Sequence, residues 1–118
     1  MGKKIVGLAT VFFLGWAGSA TALTGDQLAQ MCRVHDGSPI DLICDAYVSG
    51  FVAGLSSGSV LSRTATRICI PERLAPSDVR PVIEAFFARK PPGNAGAASA
   101  VAAALYSAYP CKLGEEPK

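Results

Sequence analysis

Four cysteines, Cys32, Cys44, Cys69 and Cys111, all lie beyond an apolar leader, and this constrains the chain more than any other feature. An even number of cysteines in a short exported chain reads as a disulfide framework. Zinc would need close pairs, whereas 11, 24 and 41 residues separate successive cysteines and a single histidine is present. Four cysteines allow three pairings, and sequence does not choose among them. The nearest-neighbour order, Cys32 with Cys44 and Cys69 with Cys111, is the expectation, since it suits the helices read below. Each bridge of this kind contributes about 3 to 4 kcal/mol by loop closure.

The export reading rests on the first 22 residues. Lys3 and Lys4 form a basic start, an apolar stretch follows, and Ser19-Ala20-Thr21-Ala22 places small residues at −3 and −1 of a cut after Ala22. The stretch is shorter than the roughly 20 residues a membrane-crossing helix needs, and no lipobox cysteine follows it. The expected division is a signal peptide over 1–22, a helical domain over 23–111 and a disordered tail over 112–118. No later run is expected to be long enough to cross a membrane.

Cleavage also changes the electrostatics. The full chain of 118 residues carries a net charge of +2, from 11 basic and 9 acidic residues. Losing residues 1–22 removes two lysines and no acid, so 96 residues near neutrality remain. A neutral domain argues against nucleic acid or an anionic membrane as partner, because both require a clustered positive surplus.

Apolar spacing is helical throughout, and no run alternates with a period of two. Thr24 is placed to cap a first helix carrying Leu28, Met31 and Cys32, which stops at the turn Asp36-Gly37-Ser38-Pro39. A second helix is expected from about 41 to 61, with Cys44, Tyr47, Val48, Phe51 and Leu55 on one stripe. Gly50, Gly54 and Gly58 recur four apart. Each costs up to about 1 kcal/mol within a helix, so the expectation is close approach of another helix in the monomer, with a dimer or partner contact as the alternative. The third helix is expected to start at Ser77 as cap, with Pro81 in its first turn. Val79, Val82, Ile83, Phe86 and Phe87 form its core face, and Arg80, Glu84 and Arg89 face water. Asn94 would cap a fourth, alanine-rich helix over 95–109, with Val101, Ala104, Leu105 and Ala108 on one side. The fold class is therefore all-α: a compact four-helix domain stapled by two disulfides behind a cleaved signal peptide.

The chemistry of catalysis is sparse. Bridged cysteines leave no thiolate, His35 sits in a surface turn beside Asp36, and no phosphate-binding or dinucleotide motif occurs. No enzyme activity, cofactor or metal is expected, and binding or inhibition remains.

The ordered features resemble one known family. Cys32 ends the first helix, Cys44-x-x-Tyr47-x-x-Gly50 opens the second, Cys69-Ile70-Pro71 precedes the third, and Ala108-Tyr109-Pro110-Cys111 closes the fourth. Together they look like the Rap/Tai family of type VI secretion immunity proteins, over nearly all of 23–111. The resemblance implies a small helical periplasmic protein, often dimeric, that binds a secreted peptidoglycan amidase in its catalytic groove through a helix and a protruding loop, which can come from different subunits. Tyr47, Gly50, Pro71 and Pro110 match structural positions of that pattern. The partner-contacting loops do not transfer by motif. By position the candidates are the 59–67 connector, with Arg63 and Arg67, and the 89–94 loop, with Arg89, Lys90 and Asn94. Two readings from other classes compete: a small periplasmic stress chaperone, disfavoured by the single histidine, and an envelope-associated helical domain without a toxin partner.

Overall fold

The computed structural model describes residue 2, residues 22–62 and residues 67–112, the side chains of 58–62 excepted. Of the expected signal peptide over 1–22, residues 1 and 3–21 lie outside the described residues, as do the tail from 113 and Arg63. Four helices follow one another: α1 (Gly25–Cys32), α2 (Pro39–Ser62), α3 (Pro76–Arg89) and α4 (Ala97–Ala108). Among the described residues extended pairing is limited to two isolated bridges, Thr24 with Gly96 and Ile68 with Pro110.

Each helix starts where local chemistry satisfies its free amides. In α1 the Thr24 hydroxyl accepts from the Gln27 N–H at 3.2 Å while the Thr24 N–H donates to Gln27 Oε1 at 2.9 Å, a reciprocal capping box. α2 begins at Pro39, before the expected 41, because proline suits the first helical position and needs no amide partner there. Ser38 caps it: the Leu42 N–H donates to the Ser38 carbonyl and the Asp41 N–H to its hydroxyl.

Two helix starts differ from the sequence expectation. The cap of α3 is Ala75, not Ser77, since Pro76 takes the first position and Asp78 Oδ2 accepts from the Ala75 N–H at 2.8 Å. Pro81 is consequently interior to the helix, beyond the first turn, and leaves the Ser77 carbonyl without a helical donor. The cap of α4 is Gly96, not Asn94, because residues 23–25 pair with 95–97: the Gly25 N–H donates to the Ala95 carbonyl at 2.6 Å and the Ala97 N–H to the Leu23 carbonyl at 2.9 Å.

The core joins all four helices. Leu28 and Cys32, Cys44 and Val48, Val79, Ile83 and Phe87, and Val101, Ala104 and Leu105 are buried. The disulfides Cys32–Cys44 and Cys69–Cys111 close as expected, tying α1 to α2 and the segment before α3 to the end of α4. Beside the second bridge the Cys69 N–H donates to the Tyr109 carbonyl at 2.7 Å and the Cys111 N–H to that of Arg67 at 3.0 Å. The short 90–96 connection and this far-end staple make α3 and α4 an antiparallel hairpin. Ala108, expected on the core side, is exposed.

α2 lies at the edge of the bundle, packed against α1 and α3. A Cβ added at Gly50 or Gly54 would meet no atom within 4 Å, so these glycines do not serve a helix approach within the monomer. Ile40, Leu42 and Ile43 are also exposed, at 48, 59 and 46%. The Pro39–Ser57 stretch is long and apolar enough to cross a membrane by length and composition, contrary to the sequence expectation, because its aliphatic and aromatic residues outweigh Asp41 and Asp45.

Candidate partner-binding site: the loop between α3 and α4

Helix α3 ends in Arg89, and Lys90-Pro91-Pro92-Gly93-Asn94 forms a loop that returns the chain to α4. Two prolines restrict its backbone. Gly93 adopts φ +60, a left-handed conformation that glycine accepts without strain. The start of α1 then fixes the loop from below. The Gly93 N–H donates to Asp26 Oδ1 at 3.1 Å, and the Asp26 N–H donates back to the Gly93 carbonyl at 3.1 Å. Gly25 lets α1 come this close: a Cβ there would stand 2.5 Å from Pro92 Cβ and 3.1 Å from Ala100 Cβ. Arg89, Lys90 and Asn94 are exposed on the loop so held.

Beside the loop runs an open groove of about 200 Å³, lined by Phe86, Phe87, Lys90, Pro91, Pro92, Ala95, Ser99, Ala100 and Ala103. Its concavity comes from the small side chains of α4 facing the phenylalanines of α3. No acid lines it.

The other candidates fall elsewhere. Arg67 is exposed at the opposite end of the hairpin, next to the Cys69–Cys111 staple, separated by the length of α3, which is about 20 Å for 14 residues. Arg67 therefore does not belong to the loop that carries Arg89, Lys90 and Asn94. A second cavity, about 380 Å³, lies there between Val52 and Leu55 of α2 and Ile68, Ile70, Pro71 and Leu74. Of the motif positions, Tyr47 packs partly buried on the core, Pro71 lines this cavity and Pro110 pairs with Ile68. Gly50 faces open space.

Sequence reasoning missed the most connected side chain. Arg80, expected to face water, is 7% exposed. Its Nη1 donates to Asp41 Oδ1 (2.5 Å) and Asp45 Oδ1 (2.7 Å), Nε to Glu84 Oε1 (2.9 Å), and Nη2 to the carbonyls of Cys32 (3.1 Å) and Val34 (2.9 Å). Burial alone would lower its pKa, but the three carboxylates outweigh that and raise it above the ordinary value. Asp41 moves the opposite way, held below the usual carboxylate range by the Gly37 N–H and then by Arg80. His35 Nε2 lies 3.2 Å from the Glu84 carboxylate at the edge of this cluster. The signal was available: position 80 is in register with Ile83 and Phe87 on the core face, and Asp41 and Asp45 are spaced one turn apart on α2. The converging acids thus serve a structural cation, and among the described residues no group of three or more His, Cys, Asp or Glu is arranged to hold a metal.

The fold and this site define a small, disulfide-stapled helical domain that presents a rigid cationic loop and an apolar groove. The chain belongs to the family of Rap1a immunity proteins, whose family model matches residues 24–111. It is accordingly an immunity protein, with a cognate effector as its partner. No curated protein matches the chain, and no solved structure does.

Proposed function

We propose that this protein acts in the periplasm as the antidote to a type VI secreted peptidoglycan amidase, binding the enzyme and covering its active site. It does so by binding and not by catalysis. Residues 1–22 supply the export signal, and the two disulfides support an oxidising compartment. The observation that carries the reading is the preorganised 89–94 loop. Its backbone is fixed by prolines, by the left-handed Gly93 and by the paired bonds to Asp26, so little ordering entropy opposes complex formation. Arg89, Lys90 and Asn94 are the contact residues it offers. A second copy of the chain covers the outer face of α2, where exposed Leu42 and Ile43 flank the open Gly50 and Gly54 and no charge stands between Ala46 and Ser62.

The test mixes the purified, disulfide-bonded chain with the amidase encoded in the adjacent reading frame. The expected result is a stable complex and loss of peptidoglycan hydrolysis. Full hydrolysis with no complex overturns the reading.

A further inference from the structure

The groove beside the loop is a surface that the fold itself leaves unfilled. Its walls are Phe86 and Phe87 on one side and Ala95, Ala100 and Ala103 on the other, with Pro91 and Pro92 at one end. Water in such a groove finds few hydrogen-bond partners, so an apolar group that displaces it gains free energy. Its rim is asymmetric in charge. Lys90 lines the groove and exposed Arg89 precedes it in the chain, while the acid of α1, Asp26, spends a carboxylate oxygen on the Gly93 amide. The α1 contacts that hold the loop also seat one end of the groove, because Pro92 packs closely against Gly25.

We infer that this groove is the anchor point of the complex: it receives one large apolar side chain of the effector, aromatic or aliphatic, flanked on the effector surface by a carboxylate that pairs with Lys90 and Arg89. The inference rests on the immunity reading and adds the chemistry of the partner to it. An apolar anchor in a desolvated pocket with a charged rim is the arrangement that concentrates binding energy in interfaces between proteins. Charge complementarity sets the partner's sign, since a basic neighbour to the anchor would meet two cations at close range.

The experiment measures affinity and inhibition for the same adjacent-frame amidase with three variants of the disulfide-bonded chain. Ala103→Leu fills the groove from an exposed position of α4, Lys90→Glu reverses its rim, and Ser107→Leu places a leucine on an exposed position outside the groove. Thermal midpoints check that each variant folds. The expected outcome is a loss of at least about tenfold in affinity for Ala103→Leu and Lys90→Glu, with Ser107→Leu within about twofold of the parent. Parent-like affinity of both groove variants, with the parent chain still inhibiting, overturns the groove and leaves the immunity reading standing. A parent chain that neither binds nor inhibits overturns both. A groove variant that alters only self-association assigns the groove to a second copy and overturns the anchor.

Discussion

At the residue scale, stability concentrates at Arg80. Its guanidinium meets two backbone carbonyls and three carboxylates, so Arg80→Met leaves those acceptors facing one another around an apolar side chain. The expected loss is about 3 kcal/mol in urea unfolding. Removing partners costs less in proportion to their exposure: Asp45 is 50% exposed and Asp41 13%, so Asp45→Asn should cost well under about 1 kcal/mol and Asp41→Asn clearly more. The same site sets an acid limit. Asp41 has a lowered pKa when folded and an ordinary one when unfolded. Its contribution is therefore complete above the ordinary aspartate range and disappears as pH falls through the folded value. Thermal midpoints measured from pH 6 down to pH 2.5 should fall below about pH 4, with a shallower fall in Asp41→Asn. Gly25 controls the site in a different way. Gly25→Ala forces a methyl against Pro92, and the expected result is a destabilisation of about 1 to 3 kcal/mol, together with weaker effector binding as the loop shifts.

At the element scale, the helices were legible where periodicity and capping chemistry agreed. Thr24 as cap defines the start of α1, and the stripe from Cys44 through Val48 defines the inner face of α2. The starts of α3 and α4 were less legible. Pro76 competes with Ser77 for the first turn, and the backbone pairing that moves the α4 cap to Gly96 joins residues about 70 apart, which no local pattern reports. For the same reason the groove could not be read: it arises from small residues of α4 lying opposite α3. The glycines of α2 signalled a special face, but only the fold shows that the face is open. Since nothing crowds Gly50 or Gly54, Gly54→Ala should stabilise the monomer by about 0.5 to 1 kcal/mol through helix propensity alone. Gly50→Leu tests the dimer: the monomer should keep its fold, and light scattering should show a shift from dimer to monomer. A monomeric parent chain would remove the second copy from the reading.

At the scale of the whole molecule, the two disulfides are not equivalent. Cys32–Cys44 spans 12 residues and Cys69–Cys111 spans 42, which gives loop-closure contributions of about 3 and about 4 kcal/mol. The shorter bridge also shares its task with Arg80, which binds the Cys32 and Val34 carbonyls on one side and Asp41 on the other. Replacing Cys32 and Cys44 with alanine should therefore leave a folded, binding-competent protein at 25 °C. Replacing Cys69 and Cys111 should lower the thermal midpoint further, as it frees the far end of the α3–α4 hairpin. Circular dichroism melts of the two double variants compare them directly.

The pairing of residues 23–25 with residues 95–97 also decides how the molecule can be tethered. The chain enters the domain at Leu23, directly beneath the binding loop, and leaves it at Cys111, at the opposite pole of the hairpin. A reporter or affinity handle fused at the amino end would hang beside the surface that meets the effector. One attached beyond Cys111 would project away from it, so immobilisation through the carboxyl end keeps the loop facing solution.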